Sequence, residues 1–205
     1  MTIRLHRGDL PDLSRYGGDA VAIDTEAMGL DVNRDRLCVV QISPGDGSAD
    51  VIQIPASTSK APNLTKLLAD GTILKIFHFA RFDLAVLHKR LEIMPFPVYC
   101  TKIASRIART YSDKHGLKDL VRELLGVDLS KQQQLSDWGA EALSDAQLAY
   151  AASDVLHLHA LKEKLDAILL REGRAELAAA CFRFLPDRVR LDLAGWSDED
   201  IFAHS

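Results

Sequence analysis

Asp24 and Glu26 stand one residue apart in the stretch AVAIDTEAMGL, residues 20–30. Ala20 to Ile23 are small or apolar and predict the start of a buried strand. A strand turns alternate residues to the same face, so both carboxylates point one way. Like charges at the end of a hydrophobic strand repel each other and lose solvation. Two more acids sit in unusual places. Asp83 follows FHFARF at a predicted strand-to-helix junction, where an acid alone would serve as a helix cap. Asp154 lies in YAASDVL, an otherwise apolar helical stretch, four residues after Tyr150. Positions i and i+4 share a helix face, so the tyrosine and the acid point to one place.

Several apolar segments thus each deliver one acid beside buried residues, and a cation must offset them. Lys, Arg or a metal could do so. Four oxygen donors without a cysteine or histidine cluster favour a hard divalent ion, Mg²⁺ or Mn²⁺. His157 and His159 do not make a zinc pair, because helical residues i and i+2 point about 200° apart.

Elements must bring these groups together. Residues 20–54 predict a three-stranded antiparallel meander: AVAID, then RLCVVQIS at 36–43, then DVIQI at 50–54 after the turn-rich PGDGSA. APNLTKLLADG predicts a short helix, with Pro62 in its first turn and Gly71 past its end. A strand over 72–77, a helix in FDLAVLHKRL, a short strand near PVYC and the segment TKIASRIART follow. GLKDLVRELLG predicts a helix closed by Gly126. One long helix is expected from Ser144, with Gln147 completing a capping box, to about Gly173. The order implies an α/β fold, a mixed sheet of a meander plus further strands, covered by helices.

The chain has 205 residues, enough for one domain with a full core. Its net charge of −4 argues against a basic surface overall, so nucleic acid would need a local patch. Three widely spaced cysteines give neither a disulfide framework nor a CxxC site, which points to a reducing cytoplasm. The charged start MTIRLHRGDL is not a signal peptide, and no apolar run is long enough to span a membrane.

DTE, HFARFD and YAASD, in this order, resemble the three motifs of the DEDD 3′→5′ exonucleases. The spacing from Tyr150 to Asp154 resembles the tyrosine subclass, found in ribonuclease D and in polymerase proofreading domains. RDRLCVVQIS, HGLKDLVRELLG, KQQQLSDW and GWSDEDIFAHS extend the resemblance to the bacterial nanoRNase C group over nearly the whole chain. Where many relatives carry Asn after the motif histidine, this chain has Phe79 after His78.

The resemblance implies a ribonuclease H-like domain over 1–205, with residues 175–205 a tail packed on it or on a neighbouring subunit. It implies two divalent cations, the first held by Asp24, Glu26 and Asp154, with Asp24 bridging to a second near Asp83. Tyr150 would orient the attacking water. The implied substrate is short RNA, most of all 5′-phosphorylated dinucleotides, cut to nucleoside 5′-monophosphates. Leu30 would wedge against bases and His78 would flank the substrate. Arg109, Tyr111, Ser112 and His115 would cap the 5′ phosphate, and the protein would form a ring-like homo-oligomer.

Lys102, Arg106, Lys114, Lys118 and Arg122 could equally be a solvated face or phosphate ligands, and Gln132 to Gln134 and Trp138 are candidate polar and stacking contacts. The rivals are ribonuclease D-like trimming of longer RNA, a DNA exonuclease, or an inactive binding module. The chain stops short of the helical domain that many ribonuclease D proteins carry, which favours small substrates. The complete set of acids with Tyr150 argues against the inactive module.

Overall fold

The computed structural model describes residues 2–58, 60–130 and 132–204; Met1, Lys131 and Ser205, within stretches quoted above, lie outside it. Among the described residues six strands form one sheet: β1 (Thr2–Arg7), β2 (Ala20–Ala27), β3 (Leu37–Ser43), β4 (Ser48–Gln53), β5 (Leu74–Phe77) and β6 (Val98–Cys100). Their spatial order is β1-β4-β3-β2-β5-β6. The expected meander is present, with β2, β3 and β4 antiparallel. β5 and β6 extend it in parallel beyond β2. β3 and β4 are buried along their whole length, as their apolar runs require.

β1, within the charged start of the chain, is not among the expected strands. It runs parallel to β4 at the sheet edge. Buried Asp50 on β4 helps to fasten it: the His6 ring nitrogen lies 2.8 Å from one carboxylate oxygen, and the Tyr16 hydroxyl donates to the other at 2.6 Å.

Seven described helices cover the sheet: α1 (Pro62–Ala69), α2 (Ala80–Leu91), α3 (Thr101–Ala108), α4 (Leu117–Leu125), α5 (Asp145–Leu156), α6 (Leu158–Arg171) and α7 (Ala175–Leu191). Pro62 opens α1, and Asp9 accepts from the free N–H groups of Asn63 and Leu64, each at 2.8 Å. Gly126 closes α4 at φ 72°, where a side chain would be strained. The capping box of Ser144 and Gln147 opens α5 as expected.

The single helix expected from Ser144 to about Gly173 is instead two helices that meet at His157. No Gly or Pro marks the break. Tertiary packing causes it: α5 lies on β2, β3 and β4 through Ala151, Ala152 and Val155, whereas α6 buries Leu161 and Leu165 and packs on α3 and α4. One straight helix could not serve both surfaces. Beyond α6, α7 packs on α2, α3 and β6, and Phe182 meets Tyr99 at 4.5 Å between ring centroids. Asp192, in the π-turn Asp192–Trp196, takes ion pairs from Arg81 and Arg188.

Ser144→Ala removes the cap of the helix that carries Tyr150 and Asp154. It should lower unfolding stability by about 0.5–2 kcal/mol, measured by denaturant titration. An unchanged midpoint would show that packing alone fixes the start of α5.

Candidate active site

β2 carries Asp24 and Glu26 on one side, as the period of a strand demands. A bulge follows Glu26, where pairing with β3 slips by one residue. It ends the regular ladder just past the second acid. Directly across the ladder from Asp24 stands Gln41 on β3. Its Nε2 donates to Asp24 Oδ2 at 2.9 Å, so a cross-strand pair fixes that carboxylate.

Asp83 sits in the first turn of α2 and is buried. It caps nothing; instead Thr25 Oγ1 donates to its Oδ1 at 2.7 Å. Thr25 thus ties the second motif to the first. Phe79, at the start of α2, holds a left-handed backbone at φ 66°. That conformation suits Asn or Gly better than an aromatic residue, and such strain gathers at functional sites.

α5 brings Asp154 and Tyr150 to the same place from the other side. One carboxylate oxygen each from Asp24, Glu26 and Asp154 lies within 4.8 Å of the others. Asp83 stands outside this tight group but lines the same cleft of about 350 Å³, together with Tyr150, Leu30, His78, Phe79 and Lys102. Among the described residues none of the four acids has an ion-pair partner.

Their protonation reflects that crowding. Burial and then the charges of Asp83, Asp154 and Glu26 push Asp24 well above the carboxylate range. Burial and the charges of Asp154 and Asp83 raise Glu26 to about 9. Burial raises Asp83 and Asp154 each to about 7, opposed by the hydroxyls of Thr25 and Tyr150 respectively. Tyr150 is pushed up by burial and by Asp154, Glu26 and Asp24, so it stays a neutral donor. His78, with Nδ1 2.9 Å from Thr101 Oγ1, is driven down to about 3 by burial and Lys102, so its ring is neutral. The site is a set of oxygen donors that gain from a divalent cation.

The remaining expected residues divide. Leu30 is 86% exposed at the mouth of the cleft, a position from which it can touch a base. Arg109 is fully buried. Its guanidinium donates to the Lys114 carbonyl at 2.8 Å and to Ser105 Oγ at 3.1 Å, and it pairs with Glu123. It shapes the loop that follows α3 and is not free to meet a phosphate. Ser112 accepts from the Lys114 amide, and His115 Nδ1 lies 2.8 Å from Ser105 Oγ. Tyr111 is 69% exposed, and none of the four lines the cleft. Gly116, Leu117 and Lys118, just beyond them, do.

Trp138 is not a stacking platform: it is 3% exposed and packs against Tyr150, with ring centroids 6.0 Å apart. Gln134 reaches the cleft, as do Leu129 and Ser130. Gln41 and Thr25 were missed as functional supports. A glutamine within the apolar CVVQIS and a threonine between two acids were the available signals.

The fold and site define a nuclease-type domain, and residues 12–170 match the family model described as 3'-5' exonuclease. The chain belongs to that family. It is similar to Brucella melitensis NrnC, solved with bound Mg²⁺ (64% identity, TM-score 0.96) and bound to pGG (65%, 0.97), each covering 100% of both chains. It is also 37% identical over 154 residues to the Ribonuclease D of Granulibacter bethesdensis, covering 75% of this chain and 38% of that one. The chain therefore spans about two fifths of the length of the ribonuclease D proteins it matches. These likenesses bear out the ribonuclease H-like mixed sheet and the expected kinship with the ribonuclease D and nanoRNase C groups. No described helix is long and apolar enough to cross a membrane.

The raised carboxylates set a pH dependence. Their folded values lie above the ordinary ones near 4, so the native state favours the protonated forms. Their stabilising effect is complete below about pH 4 and is lost as pH rises through 7 to 9. In EDTA the melting temperature should fall between pH 5 and 9, and Glu26→Gln should flatten that fall. An identical pH slope in the variant would contradict the mutual raising of these groups.

Proposed function

We propose that the protein is a 3′→5′ exoribonuclease that cuts short RNA, above all 5′-phosphorylated dinucleotides, to nucleoside 5′-monophosphates. The observation that carries this is the convergence of Asp24, Glu26 and Asp154 within 4.8 Å, with no ion-pair partner for any of them among the described residues. The donor set fits hard divalent cations, Mg²⁺ or Mn²⁺: Asp24, Glu26 and Asp154 hold one, and Asp83 with Asp24 serves a second. Bound there, such ions stabilise charge on the attacking and leaving oxygens of an in-line displacement.

The chain's own groups position the rest. Tyr150, kept protonated by its surroundings, donates to the attacking water and does not act as a base. Gln41 and Thr25 hold Asp24 and Asp83 at fixed angles, so little reorganisation is needed. Leu30 at the mouth contacts a base, and neutral His78 lines the path of the strand.

The short-substrate reading is supported by the likeness to the NrnC solved with pGG. Tyr111 and His115 lie outside this chain's cleft, beside Gly116, Leu117 and Lys118, which line it, and in this reading a second copy brings them to the 5′ phosphate. A homo-oligomer is further supported by the exposed apolar residues Leu135, Trp196, Ile201 and Phe202. The whole chain acts as one exonuclease domain, with α7 and the π-turn as its packed tail, and the free cysteines suit a reducing cytoplasm. Trimming of longer RNA is the second reading, favoured by the identity to ribonuclease D.

Asp24→Asn should cut release of nucleoside monophosphates on the order of 10³-fold, the scale of losing one electrostatic partner of a transition state. Tyr150→Phe should lower kcat roughly 10²-fold in single-turnover assays. Near-wild-type turnover in Asp24→Asn, or full activity in excess EDTA, would sink the metal-dependent reading. RNAs of two, three and seven nucleotides settle the substrate: the 5′-phosphorylated dinucleotide should be fastest, and equal cleavage of the seven-mer would favour the trimming enzyme. Light scattering should give a multiple of the chain mass; a monomer at micromolar concentration would exclude the oligomer.

A further inference from the structure

A second groove, of about 400 Å³, opens beside the catalytic cleft, and the two share Phe79 and Lys102 in their walls. Ile103, Ile107, Phe184 and Leu185 give it an apolar side formed by α3 and α7. Its volume suits a small organic ligand.

The charged rim is selective. Four cations border the groove: Arg81, Lys102, Arg106 and Arg188. Arg81 and Arg188 are already committed, both to Asp192. Lys102 and Arg106 have no ion-pair partner among the described residues. They lie one turn apart on α3, where like charges repel. Of the acids on α4, Glu123 pairs with Arg109 and Asp119 with Arg122. Lys102 leans over the Phe79 ring, 4.3 Å from its centroid, at the junction of the two cavities. Burial and the Arg106 charge hold its pKa below the usual lysine value, as expected of a cation lacking an anion.

We propose that this groove binds a nucleoside 5′-monophosphate, with the phosphate between Lys102 and Arg106 and the base against Ile107 and Phe184. A dianionic phosphate supplies the missing counter-charge, and a flat base suits an apolar wall. The choice of a mononucleotide over other anionic amphiphiles rests on the exonuclease reading, since that reaction releases mononucleotides at the door of the groove. Bound product would then slow further turnover from a site distinct from the carboxylates.

The test is isothermal titration of full-length protein in EDTA with AMP, adenosine and inorganic phosphate, on wild type, Arg106→Glu and Phe184→Ser. Both substituted side chains are partly or fully exposed, and melting curves check that the fold is kept. AMP should bind saturably, with adenosine and phosphate each at least about tenfold weaker. Arg106→Glu should weaken AMP about tenfold, the loss of one charge-assisted contact. Phe184→Ser should weaken AMP but not inorganic phosphate. AMP binding unchanged in both variants, or absent in wild type, would overturn the proposal. A change of oligomeric mass in Arg106→Glu would also overturn it, by making the groove an interface between copies. Loss of AMP binding in Arg106→Glu stands independently of catalysis: if the wild type then hydrolysed no RNA, the exonuclease reading would fall while the groove remained.

Discussion

Mutual repulsion among four carboxylates is the interaction that the rest of this structure must contain. Asp24, Glu26, Asp83 and Asp154 come from a strand and two helices, and burial, then the charges of the neighbouring acids, raise the cost of ionising Asp24 and Glu26. A loose scaffold would let them separate into solvent. Here they are held by a buried sheet, by the cross-strand bond from Gln41 and by the Thr25 hydroxyl on Asp83. Crowded charge on a rigid frame is stored affinity for a cation. The fold supplies the rigidity and the sequence supplies the charge.

A single segment, residues 137–141, braces two sides of that frame. Trp138 backs Tyr150, and Gln147 Nε2 donates to the Asp137 carbonyl at 3.1 Å, so the segment is tied to α5. Gln53 Nε2 donates to the Ala140 carbonyl at 2.8 Å, which ties it to β4. At Gly139 a Cβ would come within 2.3 Å of Met28 Sδ, so the segment lies against the Met28 side chain just after β2, and a larger residue there would have to displace it. The exit of the acid-bearing strand and the helix of the tyrosine are thus set against one another by one short stretch.

Much of this was legible from residues alone. The acids and Tyr150 could be grouped because strand and helix periodicities put them on common faces, and local signals marked the starts of α1 and α5. What escaped depends on contacts distant in sequence. The break at His157 has no local breaker and follows from the two surfaces on which α5 and α6 pack. Arg109 looked like a phosphate ligand, because a sequence does not show that Glu123 and a loop carbonyl already occupy its guanidinium. Trp138 looked like a stacking surface for the same reason: its partner, Tyr150, lies on another element.

The most direct test of the central claim is an anomalous-scattering crystal structure of the wild-type chain soaked in Mn²⁺. A manganese peak is expected, bounded by carboxylate oxygens of Asp24, Glu26 and Asp154, with the protein frame unmoved, and it should be lost in Asp24→Asn. A wild-type structure saturated with Mn²⁺ that shows no peak among these three carboxylates, or that binds the ion only elsewhere, would contradict it.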